Sequence, residues 1–162
     1  MTQGDQPLQL VKVAFVLDGG PLTIEGTVHG GRDEGVETMW AEAMGEDRYR
    51  LRNSPFAAYG ISFHDVVAAK VLNGQLTATR IVLRSGHSTY RIRLSDGISK
   101  EDFLARWPSL AALRCSYENA DSRLFAIDAL PEADIHAVYA ELQRGETDGT
   151  WEFEEAHCAH VV

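Results

Sequence analysis

The chain has 162 residues, of which 44% are hydrophobic and 24% charged, the composition of a globular protein and not of a disordered one. Its formal net charge of −9 argues against wholesale electrostatic binding to nucleic acid or to an anionic membrane. No apolar stretch approaches the roughly 18 residues that a membrane-spanning helix needs, and no basic signal-peptide region precedes the first apolar run. The two cysteines, Cys115 and Cys158, are too few for a disulfide framework. We therefore expect a cytoplasmic protein with reduced thiols.

Charge is unevenly distributed along the chain. Residues 1–47 carry a net charge of −7, residues 48–93 carry +7 and residues 94–162 carry −9. A basic middle therefore lies between two acidic ends. The basic middle would suit an anionic ligand, and the acidic ends would suit a protein partner with a basic surface.

The first half of the chain has the pattern of short β-strands. Runs rich in β-branched and aromatic residues predict strands at residues 9–17, 36–43, 48–53, 65–72 and 75–83, with a candidate short strand at 22–28. Asn73-Gly74 between the last two runs is typical of a two-residue type I′ hairpin. Residues 57–64 have no regular pattern. We expect residues 36–87 to form a small bent sheet or SH3-like barrel, and residues 1–35 to be an extension made of one strand and a glycine-rich loop.

From residue 88 the predicted order changes to β-α-β-β-α-β. Strands are predicted at residues 88–94, 113–118, 123–128 and 150–155. Ser99 is a candidate N-cap for a first helix that Pro108 would disturb or end, and a second helix would run from Pro131 to Gly145. The fold class is therefore α+β, with a ferredoxin-like unit at residues 88–155 that packs two helices on one face of an antiparallel sheet. Residues 156–162 are expected to be a loose tail.

Arginines recur at every second position of two predicted strands. Arg48, Arg50 and Arg52 alternate with other residues in one strand, and Arg91 and Arg93 do so in another. Period-2 geometry puts the arginines of each strand on one face, and neighbouring strands would form a basic surface able to hold phosphate or carboxylate. The alternative is a solvated face that the acidic ends neutralise. Few aromatic side chains lie among these arginines, which argues against recognition of nucleic acid bases.

The turn that joins the two predicted units is the most polar candidate site. It combines a guanidinium, an imidazole and three hydroxyl groups in the order Arg84-Ser85-Gly86-His87-Ser88-Thr89. The residues could contact a ligand, and the candidate ligand-binding residues are Arg84, Ser85, His87, Thr89, Tyr59, Arg48, Arg50, Arg91 and Arg93. A second interpretation is catalytic, with His87 as acid or base and Ser85 or Ser88 as its partner, although no orienting third group or oxyanion hole is visible. A third is a β-turn whose side chains satisfy its own backbone.

Two further histidine clusters have simpler interpretations. His64-Asp65 could be an oriented imidazole, or a loop end in which Asp65 bonds nearby backbone. His157, Cys158 and His160 are metal-binding types, but a zinc site requires four convergent ligands, usually in separated pairs. We therefore predict no metal and no cofactor.

The central block resembles a bacterial family, the domain of unknown function 4265 family. The resemblance rests on short strings between about residues 36 and 155: Trp40-Ala41-Glu42, Arg48-Tyr49-Arg50-Leu51, Asn53-Ser54-Pro55-Phe56-Ala57-Ala58-Tyr59-Gly60, Asp65-Val66-Val67 and Arg84-Ser85-Gly86-His87-Ser88-Thr89. Where the family has glycine before Asp-Val-Val, this chain has His64. The resemblance implies no activity, cofactor or catalytic residue.

These observations favour a binding protein over an enzyme. We expect an anionic ligand or a protein partner, for example the target of an immunity-type protein, to meet the basic strand face and the turn at residues 84–89. The alternatives are a small enzyme that uses His87 with Ser85 or Ser88, and a nucleotide- or RNA-binding regulator that uses the arginine face. Exposed sheet edges would also allow a homodimer.

Overall fold

The computed structural model describes residues 8–17 and 35–162 of the chain. The strands in these ranges are β1 (Leu10–Val16), β2 (Val36–Gly45), β3 (Arg48–Leu51), β4 (Val66–Leu72), β5 (Gln75–Leu83), β6 (Ser88–Leu94), β7 (Cys115–Asn119), β8 (Leu124–Ala129) and β9 (Trp151–His157). The helices are α1 (Lys100–Ala112) and α2 (Ile135–Thr147). The candidate strand at 22–28 lies outside the described residues.

Strands β1 to β5 close into a barrel, which confirms the predicted small β unit. Neighbours are antiparallel along the order β1-β2-β3-β4-β5, and a parallel pairing of Ala14 with Thr77 joins β1 to β5. Alternate residues point inward, so apolar side chains such as Val13, Met39 and Ile81 fill the interior and are fully buried. Strand β1 pairs along its whole length with β2, so the segment expected to be an extension supplies one of the five barrel strands.

The Asn73-Gly74 turn forms as predicted. Both residues have positive φ, 51° and 77°, as a type I′ turn requires. Strands β4 and β5 on either side of it pair as an antiparallel hairpin.

Strands β6 to β9 form an antiparallel sheet in the spatial order β7-β8-β6-β9. The chain order β6-α1-β7-β8-α2-β9 is the predicted β-α-β-β-α-β order, and the two helices pack on the same core. That core includes the fully buried rings of Tyr90, Phe103, Phe125 and Trp151. The opposite face of the sheet, which we call the open face, carries the side chains that alternate with this core, and it faces the segment between β3 and β4.

Helix α1 begins where expected but does not end at its proline. Ser99 and Asp102 form a reciprocal capping box. Pro108 lies inside the helix, which continues to Ala112. The proline is exposed, so the carbonyl that loses its helical partner can be hydrated there.

Helix α2 begins and ends later than predicted. Its N-cap is Asp134, whose carboxylate accepts from the backbone N–H of Ala137, so Pro131 precedes the helix. Gly145 lies within the helix and not after it. The ring of Trp151 occupies the space beside it, where a Cβ atom would lie only 2.1 Å from a ring carbon. The glycine is therefore needed for close packing and not for helix termination.

The last residues are attached to the sheet and do not form the expected loose tail. Strand β9 continues through His157. The ring of His160 lies between two partners: Nε2 is 2.9 Å from the carbonyl of Leu130, and Nδ1 is 2.6 Å from Oγ of Ser88. Both ring nitrogens are thereby used in fastening the chain end. Neither described helix is long and apolar enough to cross a membrane.

Candidate functional site

The segment between β3 and β4, residues 53–65, bridges the barrel and the open face of the sheet; we call it the bridging segment. The backbone N–H of Gly60 donates to the carbonyl of Ala156 at 2.9 Å, and Nη1 of Arg91 donates to the carbonyl of Ala58 at 2.7 Å. The segment has no helix or strand, in agreement with the irregular pattern of its sequence. Its position brings its last residues against the turn at residues 84–89.

Asp65, at the end of the bridging segment, is a buried carboxylate that fastens this turn. It accepts from the backbone N–H of Ser62 at 2.9 Å and of Ser85 at 2.8 Å, and it lies 3.3 Å from Nη1 of Arg84. Arg84 also donates to the carbonyl of Gly60. Arg84, a predicted ligand-binding residue, is therefore bonded within the protein.

The hydroxyl groups of the turn are also bonded internally. Ser85 Oγ donates to the carbonyl of Phe63 at 2.7 Å, and Thr89 Oγ1 donates to Ser62 Oγ at 2.7 Å. Ser88 is fully buried and bonds His160, as described above. Within the described ranges no hydrogen bond joins either serine to the ring of His87, and the backbone N–H of His87 donates to Ser85 Oγ at 3.2 Å. The catalytic pairing of His87 with Ser85 or Ser88 therefore stays a prediction that these bonds do not favour.

His87 has a different partner, the buried carboxylate of Asp128 on β8. Its Nδ1 lies 2.8 Å and 3.0 Å from the two carboxylate oxygens. The register explains the contact, because Asp128 is directly opposite Thr89 on the paired strand. A carboxylate accepts, so Nδ1 carries the proton. Among the described residues no group bonds Nε2, which remains available as an acceptor when the ring is neutral and as a donor when it is protonated.

A second imidazole and a guanidinium lie beside His87. The ring of His64 stacks on Phe63 with centroids 3.9 Å apart and meets the ring of His87 edge-on at 5.7 Å. Nη1 of Arg52 lies 3.4 Å from Nε2 of His64. His64 has φ of +67°, a left-handed conformation that favours glycine. We call Arg52, His64, His87 and Asp128 the histidine junction.

The histidine junction has a positive electrostatic environment at His64. Burial lowers the pKa of His64 first, and the charges of Arg52, His87 and Arg50 lower it further. Asp128 acts in the opposite direction and is the weakest of these influences. The charges of Arg50 and Arg52 would attract an anion to this position, and Glu42, which lies within 3.9 Å of both, offsets them in part.

The predicted arginine-lined surface does not form as one surface. Arg48 and Arg50 lie on β3 in the barrel, whereas Arg91 and Arg93 lie on β6 in the other sheet. The alternation within each strand is as predicted, but the two strands are not neighbours. Arg50 faces Glu42 at 3.9 Å, and Arg48 is exposed.

Arg91 and Tyr59 connect the bridging segment to β9. Arg91 is 3% exposed, its Nε lies 2.6 Å from a carboxylate oxygen of Glu154, and its guanidinium stacks on the ring of Tyr59 at 4.5 Å. The hydroxyl of Tyr59 donates to the same carboxylate, and this bond, followed by burial, raises the pKa of Tyr59. Both residues therefore have structural partners. Arg93, by contrast, is exposed and forms no ion pair within residues 8–17 and 35–162.

The site residues that sequence reasoning missed are Arg52 and Asp128. The sequence pattern places Arg52 only among three alternating arginines, and Asp128 lies 41 positions from His87. The sequence signal for this site is His87 itself, a histidine in a polar turn between two predicted strands. Among the described residues no group of three or more His, Cys, Asp or Glu is arranged to hold a metal ion.

The fold and these residues define a two-part α+β protein, a five-stranded barrel joined by a bridging segment to a ferredoxin-like sheet. The chain belongs to the family described as Domain of unknown function (DUF4265), whose model matches residues 37–153.

A solved structure described as "Novel crystal structure of a hypothetical protein from Neisseria gonorrhoeae" is similar over 95% of this chain and 98% of that chain, with a TM-score of 0.74 and 16% sequence identity. That identity is low, so the likeness shows the fold alone. No curated protein matches the chain.

Proposed function

We propose that the chain is a binding protein that holds a small oxyanion, a phosphate or carboxylate group, at the histidine junction. The observation that carries the proposal is the proximity of Arg52 to His64 and of His64 to His87, whose Nε2 has no partner among the described residues. Arginine and protonated histidine are strong hydrogen-bond donors to oxyanions. The basic middle of the sequence predicts an anionic ligand on the arginine face. We propose the same kind of ligand, bound at the histidine junction.

Each residue of the junction has a separate role in the proposal. Asp128 holds the ring of His87 through Nδ1, so that Nε2 points away from the carboxylate. Arg52 supplies a permanent charge, which Glu42 at 3.8 Å offsets in part. The pKa of His64 is lowered, so its ring stays neutral to a lower pH than an ordinary histidine, and a bound anion would favour its protonated form. Binding should therefore tighten as the pH falls.

A second candidate is acid–base catalysis, and one observation favours it. A histidine with Nδ1 on a buried carboxylate and Nε2 free has the arrangement of a general base. The protein would then convert a bound anionic substrate and not merely hold it. Turnover that His87→Asn abolishes, while Arg80→Gln has no effect, would favour the enzyme over the binding protein.

The proposal is tested by calorimetric titration with inorganic phosphate at pH 6. The test variants are Arg52→Gln and His87→Asn, and the matched controls are the exposed residues in Arg80→Gln and His136→Asn. Loss of one charged donor should weaken binding by about tenfold, equivalent to about 1.4 kcal/mol, and the controls should leave it unchanged. Circular dichroism must show that the variants are folded. No measurable phosphate binding by the wild type, or equal binding by all variants, would contradict the proposal.

A further inference from the structure

A groove lies on the open face of the sheet, beside Phe56 of the bridging segment and away from the histidine junction. Its volume is about 340 Å³, within the usual range for small-molecule sites. Arg91, Arg93, Glu152 and Glu154 form its charged lining, and Phe56 and Leu124 form its apolar sides. A recess of about 210 Å³ shares Arg93 and Glu152 with it, so the two spaces meet at this pair.

Some charged groups of the groove already have partners. The carboxylate of Glu154 accepts from Nε of Arg91 at 2.6 Å and from the hydroxyl of Tyr59. Nη1 of Arg91 donates to the carbonyl of Ala58. These two bonds, with the stacking of the guanidinium on the ring of Tyr59, fix Arg91 in one orientation.

Three groups have no partner among the described residues. Nη2 of Arg91 is buried and has no hydrogen-bond partner, and the side chain as a whole is 3% exposed. A buried N–H without an acceptor is costly. This atom is closed to solvent, so an occupant of the groove would reach it only if the side chain of Arg91 shifted. Arg93 and Glu152 are directly opposite each other on paired strands, yet neither forms an ion pair.

The two signs of charge restrict the chemistry of an occupant. A simple anion would meet the carboxylates of Glu152 and Glu154, and a simple cation would meet Arg93. A zwitterion satisfies both, with a carboxylate toward Arg93 and an ammonium toward Glu152. Phe56 and Leu124 offer an apolar surface for the rest of such a molecule.

We infer that this groove is a second binding site, which takes a small zwitterion with an apolar side chain, that is, a free apolar α-amino acid. It does not depend on the oxyanion proposed for the histidine junction, because the residues are different. The carboxylate and the ammonium are both recognised, so a molecule that lacks either charge binds poorly.

The test is an NMR titration of the full chain with L-leucine, N-acetyl-L-leucine and L-leucinamide. The first carries both charges, the second lacks the ammonium and the third lacks the carboxylate. We expect L-leucine to shift backbone signals of β6 and β9, and each analogue to bind at least about tenfold more weakly. The variants Glu152→Gln and Arg93→Gln, both at exposed positions, should each weaken L-leucine binding to a similar degree. Arg80→Gln on the barrel is the matched control and should not change it.

Three results would overturn the inference. The first is the absence of L-leucine binding at millimolar concentrations. The second is equal binding of N-acetyl-L-leucine, which would make the groove a plain anion site. The third is unchanged L-leucine binding in both groove variants. His87→Asn should leave L-leucine binding intact, so failure of this inference is distinguishable from failure of phosphate binding at the histidine junction.

Discussion

Two buried carboxylates lie on either side of the turn at residues 84–89, and they are used differently. Asp65 is 1% exposed and is bonded by two backbone N–H groups and by Arg84. Asp128 is 5% exposed and its close partner is His87, whose other ring nitrogen has no partner within the described parts of the chain. The first carboxylate has only structural partners, whereas the second orients a group that can still bind something else.

The same distinction separates the polar residues around the turn. Arg84, Ser85, Ser88 and Thr89 are bonded to the protein, although the sequence singles them out as strongly as it does His87. A candidate residue is therefore judged by its unused donors and acceptors and not by its chemical type.

The largest effect is expected for Asp65→Asn. The amide keeps one acceptor oxygen, so its NH₂ group would face a donor that Asp65 now accepts from. Arg84 would also lose its carboxylate partner. The free energy of unfolding should therefore fall by about 3 kcal/mol. Asp128→Asn is the matched control and should cost less than about 1 kcal/mol, because its amide oxygen can still accept from His87. Urea denaturation measures both. Equal losses of unfolding free energy in the two variants would contradict the different roles of Asp65 and Asp128.

A smaller effect is expected for Ser85→Ala. The variant loses the hydrogen bond from Ser85 Oγ to the carbonyl of Phe63, which should cost about 1 kcal/mol in urea denaturation. The variant also removes the acceptor of the backbone N–H of His87, which lies 3.2 Å from Ser85 Oγ. Phosphate affinity of the folded protein should change little, because no hydrogen bond joins Ser85 to the ring of His87. Ser122→Ala, at an exposed serine, should change neither quantity. A loss of phosphate binding in the Ser85 variant would show that Ser85 contributes to the anion site.

His64→Gly should have little effect on stability and a clear effect on binding. Glycine relieves the positive φ of residue 64 but loses the stacking on Phe63, so the unfolding free energy should change by less than about 1 kcal/mol. Phosphate binding should weaken, because one of the three converging donors is removed. Calorimetric titration at pH 6 measures the latter. Unchanged affinity would mean that His64 is only a loop residue.

The smallest effect is a pH dependence that His64 adds to stability. Its pKa is lowered in the folded protein, so the unfolded chain takes up the proton first as the pH falls below about 6.5. Wild-type stability relative to His64→Gly should therefore fall between pH 7 and pH 5.5 and should not change with pH above about 7.5. Urea midpoints of the two proteins across this range measure it. If the urea midpoints of the two proteins change with pH in parallel, the lowered pKa of His64 is contradicted.

The fold was largely accessible from the sequence because its signals are local. Asn73-Gly74 predicts one hairpin, and Ser99 with Asp102 predicts a helix start. The helix ends were less accessible. Gly145 resembles a helix-ending glycine in the sequence, but it lies inside α2, where it makes room for the ring of Trp151 on the following strand.

The site was accessible only in part because it depends on long-range pairing. His87 could be singled out, but its partner Asp128 is found through the register of β6 with β8. Alternation put Arg48 and Arg50 on one face correctly, yet no local pattern says that β3 and β6 belong to different sheets. The positive φ of His64 is likewise a consequence of how the bridging segment enters β4.

The most direct test of the account is an NMR titration of the imidazole signals of His64 and His87 between pH 5 and pH 8, with and without inorganic phosphate. The account predicts that phosphate shifts the signals of both rings and raises the pKa of His64, because the bound anion favours the protonated imidazole. Phosphate should not shift the signals of the ring of His160, because both of its nitrogens are bonded within the protein. If His64 and His87 titrate identically with and without phosphate, the histidine junction is not an anion site.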